Sequence, residues 1–311
     1  MKAEILLAGY MPPNVIPQLK DEFILHEYWG NPDAERILRE VGPRIRGVVT
    51  NAVHGASAAL IEALPNLEII SSSGIGTDAI DLDCARARGV KVTNTPDVLT
   101  DDVADMAIGL MLAVSRRICR ADRSVKEGRW LGNLGLGHRV SGKRLGILGL
   151  GRIGQAVARR AAAFDMEIGY HQRSRNPDVP YTYFDSVLEL ARFSDFLAVI
   201  VPGGPATRNM VDAAVLDALG PEGILINVGR GSTVDEPALI KALAEGRIRG
   251  AGLDVFANEP HVPEELRAMD NVVLAPHYAS ATVETRLAMG QLVVDNIRAH
   301  FDGRPLLTPV E

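Results

Sequence analysis

Arg230, Glu259 and His277 each stand just beyond a short apolar run, after Ile226-Asn227-Val228-Gly229, Asp254-Val255-Phe256 and Leu274-Ala275-Pro276. In a parallel α/β sheet such positions fall outside the carboxyl ends of the strands, the rim where ligands gather. A forked guanidinium matches a planar carboxylate, and imidazole is the general acid that titrates nearest neutrality. Glu259 is suited to orienting that imidazole and supporting its charged form. Together the three supply a carboxylate clamp and a proton source. Reduction of a small 2-oxo acid needs both, and it also needs a hydride donor held against the carbonyl carbon.

A place for that donor is written in Gly149-Leu150-Gly151-Arg152-Ile153-Gly154. A G-x-G-x-x-G alone says little. Here it follows the apolar run Leu145-Gly146-Ile147-Leu148 and opens a segment of helical period through Ala156, Val157, Ala158 and Ala161, the context of a dinucleotide-binding turn. Gly149 permits the tight turn, Gly151 lets backbone approach a pyrophosphate, and Gly154 lets helix pack on strand. About 20 residues further on, an acidic side chain would bind the ribose hydroxyl of NAD, but Gln172 stands there. The following Arg173-Ser174-Arg175 offers two guanidinium groups and a hydroxyl to a 2′-phosphate, so NADP is the expected cofactor. Asp254, at the end of its own strand, can accept from the nicotinamide carboxamide.

Such residues meet only if the elements between them make parallel sheets. Short apolar runs closed by Gly, Pro or Asn alternate with helical segments throughout, the pattern of βαβ units. The first third predicts strands at 4–7, 47–50, 68–71 and 91–93, with helices at 57–64 and 83–88. After Pro96 comes a stretch from Asp102 to Ser115 that is apolar on nearly every face, followed by a more charged continuation to Glu127. A helix this apolar must be covered. Six further strands are predicted at 145–148, 167–170, 196–201, 224–228, 252–255 and 272–275. The last helix, near 283–301, leaves that sheet, and the tail Leu306-Leu307-Thr308-Pro309-Val310 returns to the first domain. The expected fold class is α/β with two doubly wound domains: residues 1–97 plus 283–311 as the substrate domain, and 98–282 inserted as a dinucleotide-binding Rossmann domain.

Composition narrows the field further. With 47% hydrophobic and 23% charged residues, the 311-residue chain has no room for long disordered tails. Its net charge of −6 carries no basic block, which argues against nucleic acid as a partner. No window approaches a membrane span, and the opening apolar run is too short for a signal peptide. Cys84 and Cys119, the two cysteines, lack any metal-ligand spacing and are expected to be buried thiols, with no metal site. These readings place the chain in the cytoplasm.

The motifs Gly149–Gly154, Asn227-Val228-Gly229-Arg230-Gly231, Gly252-Leu253-Asp254-Val255-Phe256 with Glu259-Pro260, and Pro276-His277 resemble those of the D-2-hydroxyacid dehydrogenase family over essentially the whole chain. Within it the nearest likeness is to NADPH-dependent glyoxylate/hydroxypyruvate reductases and plant hydroxy(phenyl)pyruvate reductases, carried by the run 93–105 and the tail 305–310. The resemblance implies a flavodoxin-like substrate domain made of both termini and Arg230 as substrate binder. It also implies Glu259 and His277 as the proton-donating pair, with Asp254 contacting the nicotinamide. Ser73, Gly74, Ile75 and Gly76 would present backbone N–H groups to the substrate carboxylate, closing a cleft between domains. Thr100, Leu150, Arg152, Ile153 and Val228 would join the cofactor site, and a homodimer would form on the apolar helix after Thr100. Two other readings stay open: a dinucleotide-sensing corepressor, and an NAD-linked dehydrogenase of a phosphorylated hydroxy acid. The second would want basic residues in the first-domain loop, where Ser71–Gly76 has none.

Overall fold

The computed structural model describes residues 2–130 and 134–310. The chain divides into two compact units, Met1–Leu99 with Ala281–Glu311, and Thr100–Ser280.

The first unit alternates β1 (Glu4–Leu7), α1 (Val15–Glu22), β2 (Ile24–Glu27), α2 (Ala34–Val41), β3 (Ile45–Asn51), α3 (Ala58–Glu62), β4 (Ile69–Ser73), α4 (Leu82–Ala87) and β5 (Lys91–Thr93). Its strands are parallel, in the order β2-β1-β3-β4-β5. β3 and β4 are nearly continuous runs of buried residues, as strands covered on both faces must be. One face packs under α3 and α4, with Leu6, Val48, Ile61 and Ile70 at its centre. The other packs under α1 and the last helix, Val283–Phe301, through Ile5, Val49, Val293 and Ile297. Ser57 and Asp81 cap α3 and α4 by accepting from Leu60 and Cys84 N–H. The tail returns as expected: Val310 N–H donates to Val92 carbonyl at 2.8 Å, and Pro309 bridges Thr93.

The second unit runs α5 (Thr100–Ser115), α6 (Ile118–Lys126), β6 (Arg144–Leu148), α7 (Arg152–Ala162), β7 (Glu167–His171), β8 (Thr182–Tyr183), α8 (Val187–Phe193), β9 (Phe196–Val199), α9 (Ala213–Leu219), β10 (Ile224–Asn227), α10 (Glu236–Ala244), β11 (Gly250–Leu253), α11 (Glu264–Ala268) and β12 (Val272–Leu274). These strands too are parallel, in the order β12-β11-β10-β9-β6-β7-β8. Helix α5 finds cover within its own unit, where α7, β10 and β11 pack against it and Val103, Ala107, Leu110 and Met111 are buried. No helix among the described residues is long and apolar enough to cross a membrane.

Three expectations are corrected. The helix after Asp102 does not continue to Glu127: it breaks at Arg117, whose φ of 53° is left-handed, before α6 begins. The cysteines are not both buried. Cys119 is exposed and Cys84 half-buried, because each lies on a short charged helix that buries only one residue, Ser124 in α6 and Ala85 in α4. The sheets also hold strands that the apolar runs did not mark, β2 and β8, both at edges and both half-exposed, where no buried face demands alternation.

Candidate active site

In the second unit β10, β11 and β12 are neighbours in the sheet, and their carboxyl ends deliver Arg230, then Asp254 and Glu259, then His277. The turn after β10 is organised by Asn227, whose Oδ1 accepts from Gly229 N–H at 3.0 Å and whose Nδ2 donates to the Arg230 carbonyl at 3.0 Å. A side chain at Gly231 would overlap the Phe256 backbone, so the Arg230 turn lies directly against the chain leaving β11. Arg230 is half-buried, and its guanidinium donates to the Gly229 carbonyl at 2.9 Å.

Glu259 divides its carboxylate between two partners. Oε1 accepts from Phe256 N–H at 3.0 Å, and Oε2 lies 2.7 Å from His277 Nδ1. Burial pushes this carboxyl up. The hydrogen bond and charge of His277, the Phe256 N–H and the charge of Arg230 outweigh that, leaving it below the ordinary carboxylate value. The bond fixes the ring: Nδ1 carries the proton that Glu259 accepts, and Nε2 is left to face a reactant.

His277 adopts a φ of 53°, a region costly for a side chain larger than Gly. Asp254 holds it there. Its carbonyl accepts from His277 N–H at 2.7 Å, and its carboxylate oxygens accept from Tyr278 N–H at 2.6 Å and Ala279 N–H at 3.0 Å. Asp254 is 1% exposed, and burial raises its carboxyl above the ordinary value despite those two N–H groups. Neither the turn-organising role of Asn227 nor this backbone role of Asp254 follows from the sequence reading. Asn before Val-Gly is a local turn signal that could have revealed the first. Nothing in the sequence marks the second.

The dinucleotide turn joins β6 to α7. Gly149 has a φ of 98°, and a Cβ on Gly154 would stand 2.2 Å from the Gly149 carbonyl oxygen, so both glycines are demanded by the backbone itself. Gly151 differs: a Cβ there meets nothing within 4 Å, and no side chain caps α7. This is open space at a helix N-terminus, where an anion is favoured. Gly151 and Arg152 are exposed, Ile153 is half-buried, and Leu150 and Val228 are buried. After β7, Gln172 turns its Nε2 onto the Ser174 carbonyl at 2.9 Å. Arg173, Ser174 and Arg175 are exposed, and their side chains form no hydrogen bond or ion pair among the described residues. The Thr100 hydroxyl is buried without a hydrogen-bond partner. The open glycine, the uncommitted basic loop and the unsatisfied hydroxyl fit a phosphorylated dinucleotide.

In the first unit Ser73–Gly76 leaves the carboxyl end of β4. Gly74 N–H donates to Thr95 Oγ1 at 2.8 Å, the N–H groups of Ile75 and Gly76 have no partner among the described residues, and the Ser73 hydroxyl is buried and unpaired.

A parallel sheet with a glycine turn on one strand and an Arg, Glu and His set on three adjacent strands defines a dinucleotide-dependent oxidoreductase. The model of the D-isomer specific 2-hydroxyacid dehydrogenase NAD binding domain matches residues 108–279, and the chain belongs to that family. It is 56% identical to the hydroxyphenylpyruvate reductase of Plectranthus scutellarioides over 98% of both chains. It is 55% identical to a glyoxylate/hydroxypyruvate reductase of Arabidopsis thaliana over 94% of both. Among solved structures, the NADPH-dependent glyoxylate/hydroxypyruvate reductase of Sinorhizobium meliloti, in complex with NADP and malonate, superposes with a TM-score of 0.91 at 44% identity, covering 100% of this chain and 97% of that one.

Proposed function

We propose that this protein reduces a small 2-oxo acid to the D-2-hydroxy acid with NADPH. The observation that carries the reading is the 2.7 Å pairing of His277, beyond β12, with Glu259, beyond β11, the strand that lies between β12 and the β10 strand leading to Arg230. NADPH, when bound, supplies the hydride to the carbonyl carbon. Arg230 pairs with the substrate carboxylate and polarises the carbonyl oxygen. His277 gives its Nε2 proton to that oxygen as negative charge develops, and Glu259 stabilises the imidazolium beforehand. Asp254 keeps the ring in place. Gly149, Gly151 and Gly154 shape the pyrophosphate turn, and Arg173, Ser174 and Arg175 receive the 2′-phosphate. We assign the first unit's share of substrate binding to Ser73, Gly74, Ile75 and Gly76.

The corepressor and phosphorylated-acid readings fall behind, because relatives aligned along nearly the whole chain are named as reductases of glyoxylate, hydroxypyruvate or hydroxyphenylpyruvate. We also propose a homodimer and a cytoplasmic location. The apolar face of α5, on which the dimer was expected, is buried within its own unit, so the interface is assigned instead to Ile118 and Val125 on α6 with Trp130 and Leu136 beyond it, which are exposed large apolar residues; two unpaired thiols suit a reducing compartment. Sedimentation at micromolar concentration checks the first. The activity is tested by loss of NADPH absorbance with glyoxylate, hydroxypyruvate, pyruvate and phenylpyruvate in parallel. Turnover of none of them overturns it.

A further inference from the structure

The loop after β7 in the second unit carries its basic side chains on a main chain with little support of its own. Gln172, Arg173, Ser174, Arg175 and Asn176 lie outside every helix and strand, and among the described residues no hydrogen bond between main-chain groups involves Arg173, Ser174 or Arg175. Such a stretch exchanges among conformations unless side chains tie it down, and ordering it only when an anion arrives weakens the capture. Two tyrosines supply the ties. Tyr170 stands on β7 and Tyr183 on β8, paired in register at the sheet edge with ring centroids 5.3 Å apart.

Tyr170 is fully buried, and its hydroxyl commits both donor and acceptor to one residue. It accepts from Asn176 N–H at 2.9 Å and donates to the Asn176 carbonyl at 3.1 Å. Tyr183 donates from its hydroxyl to the Gln172 carbonyl at 3.2 Å. The two phenols thus grip the loop at its first and last residues, while the Gln172 side chain spans the middle by donating to the Ser174 carbonyl. The frame behind them is fixed as well. Phe184 N–H donates to the Tyr170 carbonyl at 2.9 Å, His171 Nδ1 lies 2.9 Å from the Phe184 carbonyl, and the Tyr183 ring stacks with that of His171 at an interplanar angle of 17°. The His171 carbonyl accepts from Gly149 N–H at 2.9 Å, which ties this strand end to the glycine turn.

We propose that Tyr170 and Tyr183 are positioning residues for cofactor choice: their hydroxyls hold both ends of the loop so that Arg173, Ser174 and Arg175 are preset for a 2′-phosphate. The proposal rests on the reading above that this loop receives the phosphate. A guanidinium fork keeps its advantage only if its own main chain need not be ordered first. NADH, with a hydroxyl in place of the phosphate, draws little from the arginines and so gains little from the brace.

Tyr170→Phe and Tyr183→Phe keep the rings and remove only the hydroxyls. Dissociation constants read from nicotinamide fluorescence should show NADPH weakened about three- to tenfold in either variant and NADH nearly unchanged. A loss shared equally by both cofactors, or an unchanged NADPH-to-NADH ratio, overturns the brace. Should Tyr170→Phe, in the core, fail to fold, Tyr183→Phe at the half-exposed edge decides alone. A second comparison places each substitution in an Arg173→Ala, Arg175→Ala background. There, removing the hydroxyl should change NADPH affinity little, because the groups it positions are gone. A further fall of the same size in that background overturns the brace. A wild type that binds NADPH no tighter than NADH overturns the loop's assignment and the brace with it, whereas an unchanged ratio in variants of a protein that prefers NADPH overturns the brace alone.

Discussion

The backbone N–H of His277 donates to the carbonyl of Asp254 at 2.7 Å, and the Asp254 carboxylate takes up the next two N–H groups along the chain. One buried residue thus grips three consecutive amides around a left-handed histidine. A side chain in that conformation costs of order 1–3 kcal/mol and persists only where its surroundings enforce it. The grip is therefore what aims the imidazole, with Glu259 setting its rotation from the other side.

This arrangement separates two roles for Asp254. If its carboxylate acts mainly on the turn, Asp254→Asn, which keeps one acceptor and turns an NH2 toward an N–H, displaces His277. Turnover should then fall about tenfold to a hundredfold, the scale of a misplacement near 1 Å, while the KM for NADPH stays nearly unchanged. Steady-state kinetics with both substrates varied decide the matter. A raised KM for NADPH with turnover preserved would point instead to the nicotinamide contact.

The two site carboxylates carry opposite signs in their effect on stability. Glu259 is held below its ordinary value of 4.5, so the folded protein binds that proton less readily than the unfolded chain. Its stabilisation is complete above the ordinary value and is lost as pH falls through the depressed one. Asp254 is raised above 3.8, so its burial penalty is absent in acid and appears as pH rises through the elevated value. Glu259→Gln should accordingly flatten the loss of thermal stability as pH falls below the ordinary value of 4.5. Melting curves across that range check it, and an acid limb as steep as the wild type's would contradict the assignment.

Much of this site is legible in the sequence because parallel strands covered on both faces read as apolar runs, and whatever polar residue ends such a run is conspicuous. That is how Arg230, Glu259, His277 and the glycine turn stand out. The same logic fails where burial is weak. β2 has no fully buried residue, and β8 is two residues long at the sheet edge. The charged surface of α6 hides the break at Arg117, and the lone thiols of Cys84 and Cys119 follow their helix faces rather than the usual preference of cysteine. Asp254 reads equally well as a ligand contact or a backbone clamp, since the amides it serves lie in a turn some 24 residues away.

Two glycines of the turn, Gly151 and Gly154, should separate on substitution. Gly154→Ala drives a Cβ into the Gly149 carbonyl and should cost about 1–3 kcal/mol of stability, as overpacking does. Gly151→Ala meets only open space and should leave the melting temperature of the unliganded protein in place while weakening NADPH binding by crowding the pyrophosphate. Thermal melting with and without NADPH reads both effects. Equal destabilisation by the two substitutions would show that the turn is demanded by packing alone.

Cofactor choice rests on the loop after β7. Arg173 and Arg175 are exposed, and their side chains have no acidic partner among the described residues, while Gln172 spends its amide on the Ser174 carbonyl and offers no negative charge to repel a phosphate. A guanidinium freed from competing ion pairs gains most from a dianionic 2′-phosphate and little from the hydroxyl that replaces it in NADH. Arg173→Ala should therefore raise the KM for NADPH about tenfold or more and leave that for NADH nearly as it was, with turnover at saturation little changed for either. Because the interaction is between exposed charges, the preference should also shrink as salt rises. Parallel titrations with the two cofactors at low and high ionic strength measure both effects, and an equal loss of affinity for NADPH and NADH would remove the loop from cofactor selection.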